Sequence, residues 1–326
     1  MIARRTLLTA VALSCVVASC LAAGMAQAQN YPTRLVRLIL PYTAGSPNDA
    51  VARLFAPFLS TQLGQPVVVE NRPGGGTTVG VNAVMQAPPD GYTLLFSNSP
   101  SHLIAPLIND TFVHDPLRDF VPIAMVGASS NVIVVGGSLP VTSVQELVAY
   151  ARANPGKLNF GFGQGTQPQL VGEMLKMAAN IDIVNVPYKG GMQAVTDMLG
   201  GHIQLNIGAP ATLVPLHESG KIRMIGYTGA KRSAQLPDIP TMIEAGYPSV
   251  VSTTYYGILG RHDLPADIVN RLNAATAEAL KSPELQAGLA KILFEPMTML
   301  PAEMAALFAK ESERWGPVVK ATGFGK

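Results

Sequence analysis

Two glycine-containing loops, each placed between an apolar run and a helix-type pattern, carry the chemistry that this sequence offers. The first loop covers residues 41–49 and directly follows the apolar run Leu38–Leu40. A strand that leads into a helix leaves unpaired backbone N–H groups at the helix N-terminus. These donors, with the positive end of the helix dipole, favour a carboxylate or a phosphate. We interpret residues 41–49 as one half of an anion-binding cleft; an ordinary strand-to-helix turn is the alternative.

The second loop repeats this arrangement later in the chain. It follows the apolar run Leu158–Phe162, and Thr166 is the predicted N-cap, with Thr166-x-x-Gln169 fitting a capping box. The glycines let the backbone approach a ligand closely, or they simply permit the turn. The helix that follows carries Leu170, Met174, Leu175 and Met177. If the two N-termini face each other, a ligand with a carboxylate at each end would bridge them without any cationic side chain.

The sequence does not contain the catalytic and cofactor motifs that would support an enzyme. The chain has no Gly-x-Ser-x-Gly elbow and no Ser-x-x-Lys, and its five histidines lack metal-ligand spacing. In Gly161-x-Gly163-x-Gly165 the third glycine does not have the spacing of a dinucleotide-binding loop. Gly74–Gly76 is not followed by Gly-Lys-Ser/Thr, which favours a flexible turn over a phosphate loop. We therefore predict ligand binding with no metal and no cofactor.

The first 28 residues are predicted to be a signal peptide. Arg4 and Arg5 precede an apolar segment, and Ala26-Gln27-Ala28 is a small-x-small cleavage pattern. Two alternatives stay open, a lipoprotein acylated at Cys20 and a twin-arginine export signal. In either case the predicted location is the periplasm.

Composition restricts the class of the mature chain. Both cysteines, Cys15 and Cys20, lie in the predicted signal peptide, so cleavage leaves no disulfide and no thiol site. The full chain has 23 basic and 21 acidic residues; removing Arg4 and Arg5 leaves 21 of each, so no nucleic-acid partner is indicated. Removing 28 of 326 residues leaves 298, a length that suits two domains.

The predicted strands alternate with helices, which indicates an α/β fold. The first helix has apolar residues at spacings of three and four, Asn48 or Asp49 at its N-cap, and a conflicting Pro57 that should bend or shorten it. Ser143-x-x-Glu146 predicts another helix start, and three helices are expected from about residues 265, 283 and 301. We place domain 1 at residues 29–128 plus 253–326 and domain 2 at 129–252, with residues 127–130 separating two strands at the crossing.

Long motifs in order along the mature chain resemble one family, the extracytoplasmic solute receptors of tripartite tricarboxylate transporters, also called TctC or Bug. The matching pieces are Tyr31-Pro32-x-Arg34, Ala44-Gly45-x-x-x-Asp49, Leu63–Gly74, Pro89–Leu95, Ala153–Leu158, Val186–Gly190, Arg232-Ser233, Leu236–Thr241, Glu244–Gly246, and Arg314-Trp315 with Val318–Lys320.

The resemblance implies a monomeric, type II-like periplasmic binding protein whose two domains close on a ligand like a Venus flytrap. Its partners would be a small-molecule carboxylate and the integral membrane subunits of a transporter. In that family the loops matching residues 42–49 and 163–167 hold carboxylate groups, and Ser97 and Asn98 match a third stretch of the cleft. The predicted ligand-binding residues are Tyr42, Thr43, Ala44, Gly45, Ser46, Asn48, Asp49, Ser97, Asn98, Gly163, Gln164, Gly165, Thr166, Gln167 and Gly208.

Three departures from the family pattern bear on the ligand. Ser46 adds a hydroxyl at a position where the family often has glycine. Gln169 stands where the family often has histidine. Gly208 stands where many members have aspartate. Without that aspartate an ammonium group lacks a partner, so we expect a dicarboxylate or an aromatic carboxylate without an amine. Tight binding of aspartate or glutamate would contradict this. The alternatives are a ligand sensor that signals to a membrane kinase and, least favoured, a hydrolase.

Overall fold

The structure is a computed structural model that describes residues 31–163 and 166–323. Two β-sheets organise it. The strands are β1 Val36–Leu40, β2 Val67–Asn71, β3 Thr93–Asn98, β4 Phe120–Ser130, β5 Val132–Gly136, β6 Asn159–Gly163, β7 Val184–Tyr188, β8 Leu205–Gly208, β9 Ile222–Tyr227, β10 Thr253–Arg261 and β11 Glu295–Pro296. The helices are α1 Pro47–Leu63, α2 Thr78–Met85, α3 Ala105–Ile108, α4 Val144–Ala153, α5 Gln167–Ala179, α6 Gly191–Leu199, α7 Pro210–Glu218, α8 Ala266–Leu280, α9 Pro283–Lys291 and α10 Pro301–Thr322.

Each sheet, with the helices packed on it, forms one lobe. The first lobe has six strands in the order β11-β4-β10-β3-β1-β2, and the second has five in the order β7-β6-β8-β5-β9. Parallel pairs (β1 with β2 and β3, β6 with β7 and β8) stand beside antiparallel ones (β10 with β3 and β4, β5 with β8 and β9). The predicted α/β class is confirmed, and the fold has the architecture of two-lobed periplasmic binding proteins.

The chain passes between the lobes at two neighbouring points. One is Asn131, between β4 and β5, and the other is the segment 228–252, between β9 and β10. Thr228 N–H donates to the Asn131 carbonyl at 2.9 Å, and Ser252 N–H donates to the Thr228 carbonyl at 2.8 Å. β4 continues through residues 127–130, so the strand break predicted there is wrong and the crossing is shorter than expected. The domain limits at 128 and 252 stay a prediction.

The last helix, α10, contributes to the cores of both lobes. Met304 and Phe308 pack under the first sheet, whereas Trp315 and Val319 pack in the core of the second. Between these two pairs, Arg314 donates to the backbone carbonyl of Val251, which borders the second crossing. α10 is therefore a third connection between the lobes, although the sequence placed it wholly with the first.

The N-cap and the length of α1 differ from the sequence prediction. The N-cap is Ser46, whose hydroxyl accepts from Asp49 N–H at 3.2 Å; it is neither Asn48 nor Asp49. Pro57 does not shorten α1, which continues to Leu63. Because Pro57 is exposed, water can hydrate the carbonyl that loses its helical partner.

Both predicted capping boxes form only in part. Ser143 accepts from Glu146 N–H, but the Glu146 carboxylate accepts from Thr142 N–H instead of from the N-cap residue. Thr166 occupies the N-cap of α5, yet its hydroxyl donates to the Gly163 carbonyl at 2.6 Å.

One side chain of α5 departs from the predicted apolar pattern. Met177, predicted among the apolar residues of α5, is 57% exposed, whereas its neighbours in that pattern are buried.

Within residues 31–163 and 166–323, none of the helices combines the length and the apolar character needed to cross a membrane. The predicted signal peptide lies outside the described residues.

His102 is a buried histidine, and the pH dependence of stability tests its burial. It is 1% exposed and lies against Phe120 and Phe308, at ring-centroid distances of 5.0 and 5.4 Å. Burial lowers the pKa of His102 to about 4. The unfolded chain therefore binds the extra proton first, and stability is lost as pH falls from about 6.5 towards 4. Between pH 7.5 and pH 5 this residue should account for about 2 kcal/mol of lost unfolding free energy.

Urea unfolding at the two pH values measures this loss. His102→Leu should remove about 2 kcal/mol of the pH dependence, while the same exchange at exposed His262 should not. Equal pH dependence in wild type and His102→Leu would contradict the assignment.

Candidate functional site

A cavity of about 370 Å³, here called the interlobe cleft, lies where strands of both sheets end. In the first lobe β1 leads through residues 41–46 into α1, and in the second β6, β7 and β8 lead into α5, α6 and α7. Four helix N-termini therefore border this cleft. They contribute Pro47 and Asn48 of α1, Thr166 and Pro168 at α5, Gly191 and Met192 of α6, and Ala209 and Thr212 at α7.

Gly163 lies at the close approach of two of these turns. A Cβ atom at this position would lie 3.2 Å from the backbone nitrogen of Gly191 and 3.2 Å from Thr166 Cγ2. Both distances are tighter than most Cβ contacts, so a side chain would require the start of α6 or Thr166 to shift by a few tenths of an ångström. Glycine avoids this shift and leaves the two N-termini close together.

The electrostatics of the interlobe cleft come from backbone, because its lining within the described residues contains no charged side chain. Each helix N-terminus carries a partial positive charge, and some of its first N–H groups lack a partner within the helix. At α1 the Asp49 N–H is already taken by the Ser46 hydroxyl, and Pro47 has no N–H. Asn131, Asn206, Thr254 and Tyr256 add neutral polar groups to the lining. Burial raises the pKa of Tyr256, so its hydroxyl stays protonated. The cleft suits an anion and offers no partner for a cation.

Asp49 holds the first loop in shape. It is 4% exposed, and its carboxylate accepts from Gly45 N–H at 2.9 Å, Arg53 Nε at 2.9 Å and Asn71 Nδ2 at 2.8 Å. Burial by itself would raise the pKa of Asp49, but the hydrogen bonds from Arg53, Gly45 and Asn71 together hold it below its usual value. Its carboxylate is therefore occupied within the loop.

Asn98 joins the first loop to the end of β3. Tyr42 OH donates to Asn98 Oδ1 at 2.8 Å, and Asn98 Nδ2 donates to Asn48 Oδ1 at 2.6 Å. Burial raises the pKa of Tyr42, which keeps the phenol a neutral donor. Ser97 lies deeper, with its hydroxyl 3.0 Å from Ser101 Oγ.

A second cavity of about 530 Å³, here called the side chamber, also lies along the N-terminus of α5. Thr166 borders both spaces, so the side chamber and the interlobe cleft are neighbours. Tyr42, Thr77 and Gln167 supply polar groups to the side chamber, and one wall of it is apolar. That wall consists of Pro100, Ile104, Ala105 and Ile108.

The structure distributes the predicted site residues over four places. Those that line the interlobe cleft are Asn48, Gly163, Thr166 and Gly208. Tyr42 and Gln167 line the side chamber. Those that line neither cavity are Thr43, Ala44, Gly45, Ser46, Asp49, Ser97 and Asn98. Gln164 and Gly165 lie outside the described residues.

Sequence reasoning missed the contributions of α6 and α7. Both helices begin directly after a strand, α6 at Gly191 and α7 at Pro210. Pro in the first turn is a known helix-start signal, and it could have identified α7. Three lining residues carry no local signal, Asn131, Thr254 and Tyr256, because only the crossing between β4 and β5 and the pairing of β10 with β4 bring them to the cleft.

Comparison with known proteins identifies relatives along most of the chain. The family model of the tripartite tricarboxylate transporter family receptor matches residues 51–324. Protein BugT of Bordetella pertussis is 34% identical over 304 residues, which are 92% of this chain and 93% of BugT.

Solved structures agree with this match. An R. palustris protein solved with adipate has 35% identity and a TM-score of 0.79, covering 90% of this chain and 98% of its own. MatC from Rhodopseudomonas palustris, solved with bound malate, has 26% identity and a TM-score of 0.74, covering 89% of this chain and 100% of its own.

Asp49→Asn tests the role of the buried carboxylate in the first loop. The exchange removes the charge that organises Gly45, Arg53 and Asn71, so the free energy of unfolding should fall by about 2 kcal/mol. The native contribution is present above the ordinary pKa and is lost as pH falls through the lowered one. Urea unfolding at neutral pH measures the effect.

Asp90→Asn is the matched control, because Asp90 pairs with Arg34 at the surface, with side chains 39% and 64% exposed. It should cost less than about 1 kcal/mol. Equal losses in the two variants would show that Asp49 has no special structural role.

Proposed function

This chain belongs to the tripartite tricarboxylate transporter family of receptors, and we propose that it captures a small carboxylate in the interlobe cleft for a transporter of that type. The family is one of periplasmic solute-binding receptors rather than enzymes. The observation that carries the proposal is the meeting of four helix N-termini at a cleft whose described lining holds no charged side chain.

The cleft chemistry selects among solute classes. Unpaired N–H donors at helix N-termini favour an anion, whereas an amine would meet no carboxylate in the described lining. The volume of about 370 Å³ lies within the usual range for small-molecule sites, roughly 300–1,000 Å³. A small carboxylate meets both requirements.

A ligand with two acidic ends would use both lobes. One carboxylate would lie at the start of α1 in the first lobe, and the other at the starts of α5, α6 and α7 in the second. Such a ligand connects the lobes and favours the closed arrangement, because its contacts are complete only when both lobes reach it. The relatives solved with adipate and malate support a dicarboxylate; an aromatic carboxylate is the second class that the cleft suits.

Gly208 bears on the exclusion of amino acids. It borders the interlobe cleft, and a Cβ there would lie 3.2 Å from Leu213 Cδ1 and 3.4 Å from Asn206 Oδ1. The glycine leaves this side of the cleft open and uncharged. We propose that the natural ligand has no ammonium group.

The proposed partners follow from the family. A monomeric receptor would deliver its ligand to the integral membrane subunits of the transporter after export and cleavage near Ala28.

A thermal-shift screen of residues 29–326 against sugars, amines, and mono- and dicarboxylates tests the proposed function. Dicarboxylates or aromatic acids should raise the melting temperature, since a ligand at a hundred times its dissociation constant adds about 2.7 kcal/mol of stability. Sugars or amines as the sole hits, or tight binding of aspartate or glutamate, would contradict the proposal.

Gly208→Asp and Gly208→Asn form a matched pair that isolates charge. Both add a side chain of nearly the same size, but only aspartate places a negative charge beside the bound carboxylate. Isothermal titration with the best acid from the screen should show binding at least roughly tenfold weaker in Gly208→Asp than in Gly208→Asn, from repulsion between two charges about 5 Å apart. Equal affinities would place the carboxylate elsewhere.

A further inference from the structure

We infer that the side chamber is a second compartment of the ligand site, which binds an apolar group carrying a neutral hydrogen-bond acceptor. The inference rests on the proposed function, because the carboxylate of the same ligand would occupy the interlobe cleft. It extends that function by naming the part of the ligand that distinguishes it from a short dicarboxylate.

Gln167 lies between the two spaces. Its side chain is 92% buried, and its Oε1 accepts from Asn131 Nδ2 at 3.3 Å and from Thr254 Oγ1 at 2.5 Å. Asn131 and Thr254 both line the interlobe cleft, whereas Gln167 lines the side chamber. These two bonds fix the orientation of the amide and leave Nε2 as its free donor.

Gln167 Nε2 is fully buried and has no acceptor among the described residues. A buried N–H donor without an acceptor is costly and uncommon in native proteins. An acceptor on a ligand in the side chamber would satisfy it.

Thr77 supplies the same kind of group from the first lobe. Its Oγ1 is also buried without a partner among the described residues, and it too lines the side chamber. Its backbone has a φ of 85°, which is unusual for a β-branched residue. Each lobe therefore contributes to the lining of the same cavity one residue with a buried, unpaired polar atom.

The acceptor is inferred to be neutral, because the N-terminus of α5 is shared with the interlobe cleft and the other helix start at the side chamber, that of α2, offers few free donors. None of its lining residues within the described chain is charged. The N–H groups that start α2 are already used: Thr77 and Val79 donate to the Gly74 carbonyl, and Thr78 donates to the Gly75 carbonyl. The apolar wall further favours the uncharged body of a ligand over a second carboxylate.

The ligand class that follows is a carboxylate with an aromatic or branched alkyl body and a neutral oxygen, such as a ketone, ether or amide carbonyl, at the far end. Its acid group would lie at the helix N-termini of the interlobe cleft, and its body would pass Thr166 into the side chamber. A four-carbon dicarboxylate would leave that chamber unfilled.

The test compares two isosteric probes, 4-acetylbenzoate and 4-isopropylbenzoate, by isothermal titration with residues 29–326. The wild-type protein should bind the acetyl compound about three- to tenfold more tightly, the range of one neutral hydrogen bond. Gln167→Met removes the donor and should reduce this ratio to about one. Gln145→Met, the same exchange at an exposed position on α4, should keep the wild-type ratio.

A second variant keeps the test decisive if Gln167→Met does not fold. Ile108→Trp narrows the side chamber, so it should weaken both substituted benzoates more than it weakens succinate. Equal binding of the two probes by wild type, or a preference that Gln167→Met retains, would overturn the second compartment and leave carboxylate capture intact. Failure of the benzoates, succinate and adipate all to bind would overturn the proposed function, and this inference with it.

Discussion

Backbone N–H groups at the start of a helix have no partner within that helix, and in this protein four sets of them border one cavity. The arrangement of the two sheets brings these helix N-termini to the same cavity. Parallel strands end at the same edge, and each following turn begins a helix there. The first lobe adds one helix from the opposite side, so the donors come from both lobes. The proposed anion capture would use these donors in place of arginine or lysine, neither of which occurs in the described lining.

The loops that present these donors are kept in shape by groups that do not touch the cavity. Asp49 is enclosed by Gly45, Arg53 and Asn71, and Asn98 joins Tyr42 to Asn48. The second lobe has instead a close backbone approach at Gly163, where a side chain would require its neighbours to shift slightly. The two halves of the cleft therefore reach a similar chemistry through different means, polar bonding in one and tight packing in the other.

Much of this organisation could be predicted from local patterns. Apolar periodicity located β1, α1, β6 and α5, and the order of motifs identified the family. Local patterns failed where a contact joins distant parts of the chain. Gln167 was predicted from its own loop, but its contacts with Asn131 and Thr254 depend on strand order, which no short window of sequence encodes. Asp49 stays a predicted site residue, and its carboxylate is held by Gly45 and Arg53, each four residues away, together with Asn71, 22 residues further along.

Among the residues that the structure describes, the cleft lining carries no carboxylate, lysine, arginine or histidine, which has a consequence for the surroundings in which the cleft would work. Peptide N–H groups neither gain nor lose protons between acidic and alkaline media, and helix-terminal donors inside a cleft are less exposed to dissolved salt than surface ion pairs are. The proposed receptor would keep the same recognition chemistry across changes in pH and salt, and the protonation of an acidic solute would set the acid limit of its capture.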